Sequence, residues 1–390
     1  MRETKAGVVF IAEGKLFVRM PGERVRELVS PFAEDFLARS EASAARNEWK
    51  SGSAGWNSGA AGFGMLGGGV SQGEPVKPMT FHTVAAHGST VYYGMSIGHT
   101  SGLFRHELDQ DDEYRMAHGP DWEVRDIAPH PDGRLLFSRR DENGGANLHV
   151  FPAGGGRPTP LTEGDTLDEA PCWDGDAILY HAVGIARTAD GYIGAFGPAA
   201  IERLDPDNGS VKTLVEDDLF DYLNPQRDPA GRLHAIRRPY KPDGEAVSMW
   251  VATREFLLFP FRLGAAVLHF ANAFTQFFSN KPMVAVGGAG HRVKPPRSVM
   301  LRNQMISADK AARKASTGHP PPIVPKDWQL VRFATDRAEP EVLADHVGSF
   351  AFDGDDIVYT DGSNLRRLTP DGSSEHMAAA TLISAVAVTA

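Results

Sequence analysis

The residue types that could do chemistry in this 390-residue chain are scattered histidines and clustered carboxylates, and their spacing decides what they can do. His82 and His87 stand five apart in one expected strand, an odd spacing that turns them to opposite faces. The acidic stretches "DQDDE" (109–113), "LDPDNGS" (204–210) and "FDGDD" (352–356) lack the twelve-residue, Glu-terminated pattern of a calcium loop. The second of them reads as a hairpin with Asn-Gly at its tip.

No G-x-S-x-G, H-E-x-x-H or C-x-x-C is present, so neither a nucleophile elbow nor a familiar zinc site can be written. Cys172 is the single cysteine, which excludes an internal disulfide and gives no support for an oxidising compartment. Beside Trp173 on an expected strand, it reads as a small buried hydrophobe. The expectation is therefore no catalytic residue, no bound metal and no cofactor. Net charge of −10 argues against nucleic-acid binding. "MRETKAGVVFIAEGK" has no long apolar core before a small-residue cleavage site, so the expected location is cytoplasmic.

The elements that would position these residues are short strands. Residues 124–173 alternate apolar runs with turn residues: "VRDIAPH", then "PDG", "RLLFSRR", "GGANLHVFPA" and "GGGRPTPLT". The pattern recurs at roughly forty-residue intervals, the period of a four-stranded propeller blade. Further units span 81–119, 170–217, 222–244 resumed at 327–345, and 348–379. "LISAVAVTA" (382–390) has the character of an innermost strand with nothing after it. Residues 6–30 supply three outer strands with no innermost strand before them. Joined, they complete one more blade and remove an open edge. The fold class expected is all-β: a six-bladed β-propeller closed by N- and C-terminal strands, as a single domain over 1–390 with two insertions.

"PHPDGRLLFSRR" (129–140) and "GGGRPTPLTEGDTLDEAPCW" (154–173) resemble the TolB-like and WD40-like propeller superfamily. The resemblance covers about 110–260 and 327–390 and implies a fold, not an activity. The chain departs from periplasmic TolB in having no signal peptide, no preceding small α/β domain and a large insertion, so no role in the Tol envelope system is implied. Some six-bladed propellers hydrolyse lactones or phosphoesters with a metal in the central channel. By that resemblance Asp126, Glu169 and Asn224 are the alternative, metal-dependent hydrolase reading.

The first insertion covers 30–80. Ser30 is a good N-cap, Pro31 fits the first helical position, and Phe32, Phe36 and Leu37 share a helical face. A glycine-rich stretch follows. It reads either as a linker or, through Trp56, Phe63, Met65 and Leu66, as a secondary contact segment. The second insertion, 246–326, splits a blade between its second and third strands. It carries net +9, leaving −19 for the remainder.

Within the second insertion, 260–278 reads as an amphipathic helix. Arg262, His269, Asn272 and Gln276 lie on one side of it; Leu263, Val267, Phe270, Phe274 and Phe278 lie opposite. A membrane crossing there would put two parts of one ring on opposite sides of a bilayer. An in-plane anchor on anionic lipid, a groove on a protein partner, an oligomer contact through 246–326, or packing on its own propeller are the readings that remain. The expected contact residues are Phe256, Leu257, Phe259, Leu263, Val267, Phe270, Phe274 and Phe278, with Arg292, Lys294, Arg297 and Arg302 supplying charge. A short basic helix is expected over Ser307–Ala315, before a Pro-rich return. Together these features predict a non-enzymatic protein-interaction scaffold, anchored through its basic insertion to a membrane surface or partner subunit.

Overall fold

Thr90–Ile97 shows why this chain forms strands. Val91, Tyr93, Met95 and Ile97 are 0–3% exposed, while Thr90, Tyr92 and Ser96 between them are half-buried. That period-two pattern buries one face of a pleated sheet, at about 1.5–3 kcal/mol for each large apolar side chain. The computed structural model describes residues 6–52, 79–97, 100–120, 122–241, 298–301, 304–307, 320–335 and 339–389.

Three strands open the chain: β1 (Val8–Ala12), β2 (Lys15–Arg19) and the short β3 (Arg26–Glu27). Helix α1 (Pro31–Gly52) follows. A four-stranded sheet is built from β4 (Thr80–His87), β5 (Thr90–Ile97), β6 (Thr100–Glu107) and β7 (Asp112–Gly119). The next sheet is continuous over two antiparallel sets. One set is β8 (Val124–Pro129), β9 (Leu135–Arg140), β10 (Ala146–Phe151) and β11 (Thr159–Pro160). The other is β12 (Thr166–Asp174), β13 (Ala177–Arg187), β14 (Ile193–Asp205) and β15 (Ser210–Val215). A single parallel pairing, Ala146 with Leu167, joins the sets.

β16 (Phe220–Arg227) and β17 (Leu233–Pro239) begin a sheet that the chain leaves and later completes. A hairpin, β18 (Ser298–Leu301) with β19 (Gln304–Ser307), precedes the return as β20 (Gln329–Phe333) and β21 (Glu341–Asp345). The last full sheet holds β22 (Ser349–Asp353), β23 (Asp356–Thr360), β24 (Asn364–Leu368) and β25 (Ser374–Ala379). β26 (Ile383–Val388) turns back to pair with β1, Phe10 opposite Val386, giving the order β26-β1-β2-β3.

Apolar layers lie between consecutive sheets. Val9 and Ile11 pack with Tyr93 and Met95; Leu103 with Phe137; Leu136 with Ile178; Leu179 with Leu233; Ile236 with Phe350; and Val358 with Phe10. The last pair returns to the sheet that began the series. All five residues of β1 are buried, because it has a strand on each side and a packed sheet on each face.

Helix α1 starts as expected: the Ser30 hydroxyl oxygen accepts from the Ala33 amide at 3.2 Å. A second acceptor reinforces it from far along the chain. The Glu113 carboxylate, on β7, takes hydrogen bonds from the Phe32 amide at 2.9 Å, from the Ser30 hydroxyl and from the Tyr93 hydroxyl. Phe32 packs on Phe104 with ring centroids 5.3 Å apart, and Phe36 and Leu37 pack against the same layer.

Among the described residues, 246–326 holds a hairpin that the sequence reading did not anticipate, and it meets the expected Ser307–Ala315 helix only at Ser307. Ser298–Leu301 pairs with Gln304–Ser307, so Ser307 ends a strand, and Ile306 is buried against Trp328 and Val324. The β-branched Val299 and Ile306 suit a ladder better than a helix turn. The remainder of the expected Ser307–Ala315 helix lies outside the described residues.

Two outcomes follow. Deleting residues 382–389 strips β1 of its partner strand, and we expect a loss of at least ~4 kcal/mol or failure to fold; an unchanged urea midpoint by tryptophan fluorescence would contradict the pairing. Glu113→Ala leaves several donors without an acceptor, at about 1–3 kcal/mol. Faster hydrogen exchange confined to the first turns of α1 is expected, and unaltered protection there would show that Glu113 does not hold the helix.

Candidate functional site

The first strands of all the four-stranded sets surround one cavity of about 440 Å³. β4, β8, β12, β16, β22 and β26 each line it. Small residues form much of the wall, among them Ala85, Ala128, Ala351, Ala385 and Ala387, with Trp173, Phe352 and His87 adding larger side chains.

Asp126 and Asn224 line this cavity, and Glu169 does not. β12 and β16 explain the difference. In "DEAPCW" and "YLNPQR", Ala170 and Asn224 occupy matching places, each just before a proline and each at positive φ (49° and 52°). Both strands break register there, between Glu169 and Cys172 and between Leu223 and Gln226. Glu169 therefore stands one residue off the cavity-facing position and is turned away from it. Its side chain is buried, with the carboxylate 3.4 Å from Arg125 Nε and 3.9 Å from His181 Nε2. Asp126 is also engaged: its Oδ2 accepts the Ala170 amide at 2.9 Å. The oxygen donors expected to converge are thus divided between the cavity and a buried ion-pair cluster. Among the described residues no group of three or more His, Cys, Asp or Glu is placed to hold a metal ion.

Cys172 lines the cavity, and burial pushes its thiol up to about 11. His82 meets Ser96 Oγ at 2.6 Å while His87 lies on the cavity, so the two do not act together. "LDPDNGS" is the β14–β15 hairpin: Asp205 accepts from Asp207 N and Asn208 Nδ2, and Asn208 from Ser210 N. The expected contact residues Trp56, Phe63, Met65, Leu66, Phe256, Leu257, Phe259, Leu263, Val267, Phe270, Phe274, Phe278, Arg292, Lys294, Arg297 and Arg302 all lie outside the described residues. Among the described residues no helix is long and apolar enough to cross a membrane.

Connectivity sorts the loops. In each antiparallel set, the first-to-second and third-to-fourth turns share one end of the strands. The second-to-third turns and the links to the next set share the other. The first end has tight turns such as Pro131-Asp132-Gly133 and Pro229-Ala230-Gly231, whose glycines take positive φ. The second end carries the long excursions. There α1 follows β3, and the β13–β14 hairpin extends to a tip where Tyr192 is 75% exposed. There too the chain departs after Pro239 and comes back at Gln329. Tyr240 ties its point of departure to that hairpin, its hydroxyl donating to Phe196 O at 2.5 Å. The return is pinned as well: Ile323 and Val324 amides donate to Asp361 O at 3.0 Å, and Asn364 Nδ2 to Pro320 O at 2.9 Å.

No protein family and no curated protein matches the sequence. Solved structures do. A chain from a nidogen/laminin complex aligns with TM-score 0.52 and 9% identity, over 99% of this chain and 98% of that one. TolB from Acinetobacter baumannii aligns with TM-score 0.51 and 11% identity, over 98% of this chain and 66% of TolB. At such identities the likeness is one of fold: the chain has a TolB-like, β-propeller type of fold.

Burial lowers the pKa of His82, His149 and His234 below the ordinary histidine value. The Nδ1–H groups of His149 and His234 donate to the carbonyls of Asn147 and Arg232, each at 3.1 Å. As pH falls through about 6.5, the unfolded chain takes up protons that these native histidines do not, so stability must fall. Desolvation raises buried Asp168 and half-buried Glu202 above ordinary carboxylates, and these two act in the opposite sense. A lower urea midpoint at pH 6.0 than at 7.5 is expected, with a smaller drop in His234→Gln. A midpoint that rises on acidification would refute the assignment.

Proposed function

We propose that this chain is a six-bladed β-propeller acting as a non-enzymatic protein-interaction scaffold, presenting its partner-binding parts from one end of the ring. The observation that carries the reading is that, among the described residues, α1, the extended β13–β14 hairpin and the departure between β17 and β20 all leave from that end. Loops on a rigid scaffold are where binding residues concentrate. In this reading β26 with β1–β3 forms the closing blade, and the 246–326 insertion in the split blade supplies the contact. Phe256, Leu257, Phe259, Leu263, Val267, Phe270, Phe274 and Phe278 give an apolar face, and Arg292, Lys294, Arg297 and Arg302 give charge. Trp56, Phe63, Met65 and Leu66 form a secondary contact from the same end. An aromatic face flanked by basic residues favours an acidic protein groove, and an anionic membrane surface offers the same complementarity.

Pull-down from cell extract with the whole chain and with 246–326 replaced by a short Gly-Ser linker tests this directly. A defined partner retained by the first and lost by the second is expected. Sedimentation with anionic liposomes separates the two targets: salt-sensitive pelleting of the wild type but not of Phe270→Asp/Phe274→Asp would make the partner a lipid surface. An identical set of captured proteins with both chains would remove the insertion from the function. Tightly bound stoichiometric Ca²⁺ or Zn²⁺ in the purified protein would favour the hydrolase alternative.

A further inference from the structure

The chain has two Asn-Gly steps, and the fold holds them differently. Asn143-Gly144 lies in the turn between β9 and β10, and Asn208-Gly209 in the turn between β14 and β15. In several respects the two are matched. Both asparagines are exposed, and both glycines take positive φ, at 84° and 69°. Each glycine amide donates to the carbonyl of the aspartate that opens its turn: Gly144 N to Asp141 O at 3.2 Å, and Gly209 N to Asp205 O at 2.9 Å. Either step is open to an internal reaction, because glycine has no side chain to keep its nitrogen away from the asparagine amide.

The asparagine side chains distinguish them. Asn208 is clamped at both ends of its amide: Nδ2 donates to Asp205 Oδ2 at 2.7 Å, and Oδ1 accepts from Ser210 N at 2.8 Å. Among the described residues nothing bonds the side-chain amide of Asn143. Only its backbone is held, the N–H donating to Asp141 Oδ1 at 2.8 Å. Among the described residues, too, only one of the two asparagine carbonyls accepts from a cation. Arg187 Nη2 donates to Asn143 O at 3.2 Å, and Asp165 fixes that guanidinium through Nε at 2.5 Å. Asn143 O belongs to the same peptide unit as Gly144 N. Negative charge left when Gly144 N loses its proton is therefore shared onto the oxygen that Arg187 already touches.

We infer that Asn143 is a site of spontaneous deamidation and that Asn208 is protected from it. Hydroxide removes the Gly144 amide proton, and the nitrogen attacks Asn143 Cγ. The bond from Cγ to Nδ2 then breaks, and that nitrogen leaves as ammonia with a proton taken from water, which closes a succinimide ring. Water opens the ring at either carbonyl and gives aspartate or isoaspartate at position 143. Water enters and ammonia departs, with nothing oxidised or reduced. Arg187 stabilises the anion that attacks, as a preorganised donor does at any developing oxyanion. Asn208 must first give up two hydrogen bonds before its Cγ can turn toward Gly209 N. The β9–β10 turn belongs to the end of the strands that carries the long excursions. Conversion adds a negative charge there, and as isoaspartate one more backbone atom, on a timescale set by the fold. The site is independent of the contact assigned to 246–326.

Incubation of the folded, full-length protein at mildly alkaline pH, followed by peptide mapping with mass spectrometry, tests it. We expect position 143 to convert at least about tenfold faster than position 208, giving both products. In denaturing urea, where clamp and cation are both lost, the two positions should convert at similar rates. Arg187→Gln should slow conversion at 143 severalfold and leave 208 unchanged, and Asp205→Ala should speed 208 alone. Matched thermal melts keep a loosened fold from mimicking either effect. Equal rates in the folded protein, or faster conversion at 208, would overturn the inference. An unaltered rate at 143 in Arg187→Gln would overturn the part given to the arginine.

Discussion

The ladder between β26 and β1 is the contact on which the rest of this structure depends. Sheets stacked face to face leave one apolar face bare at each end of the stack, unless the stack bends round and its ends meet. Here they meet through Val358 and Phe10, and the meeting sheet is built from both ends of the chain. The joint is therefore made of backbone hydrogen bonds as well as side-chain packing. Val388 opposite Val8 and Ile383 opposite Ala12 hold it at its two limits. An apolar layer alone could slide; a ladder fixes register to the residue, because a slip of one would turn every buried side chain outward.

From that closure comes the division of labour between the two ends of the strands. Once the first strands of the sets surround a common cavity, turn positions are sorted by parity alone, and insertions in the same class of connection emerge together. The excursion between β17 and β20 is tolerated because the ladder on either side does not depend on it. Ile236 still pairs with Leu330 and Leu233 with Phe333. Loop-closure entropy rises only slowly with length, so a long insertion between two strands already held by their neighbours costs little more than a short one.

Much of this was legible in the sequence where the cause is local. "PDG" and Asn208-Gly209 set turns through their own backbone preferences, and Ser30-Pro31 starts a helix by capping. Period-two patterning placed many of the strands, as in Thr90–Ile97. What could not be read were features set by partners far away. Glu113 lies 83 residues from Ser30, yet completes its cap. The register breaks in β12 and β16 decide that Ala170, not Glu169, shares the cavity position of Asn224, and no periodicity predicts a bulge. The β18–β19 hairpin was not anticipated: its strands are four residues each, too short for a period to show, and only Val299 and Ile306 favour a ladder.

The arginine pairs near the ends of β9 and β17 were visible as "FSRR" and "AIRR", but their meaning was not. Identical letters become different devices through one neighbour. Where Leu223 stands, the acid at the strand start has a single cation to satisfy, and Asp221 closes on Arg238. Where Arg125 stands, Glu123 has two, and Arg125 is itself held by the buried Glu169. Pairing between buried or half-buried charges is strongly preferred over leaving one unmet. Arg125 therefore shares Glu123 with Arg140, at 3.0 Å from the one and 3.9 Å from the other. Glu169, the glutamate expected as a metal ligand, is instead drawn into this ion-pair network through Arg125.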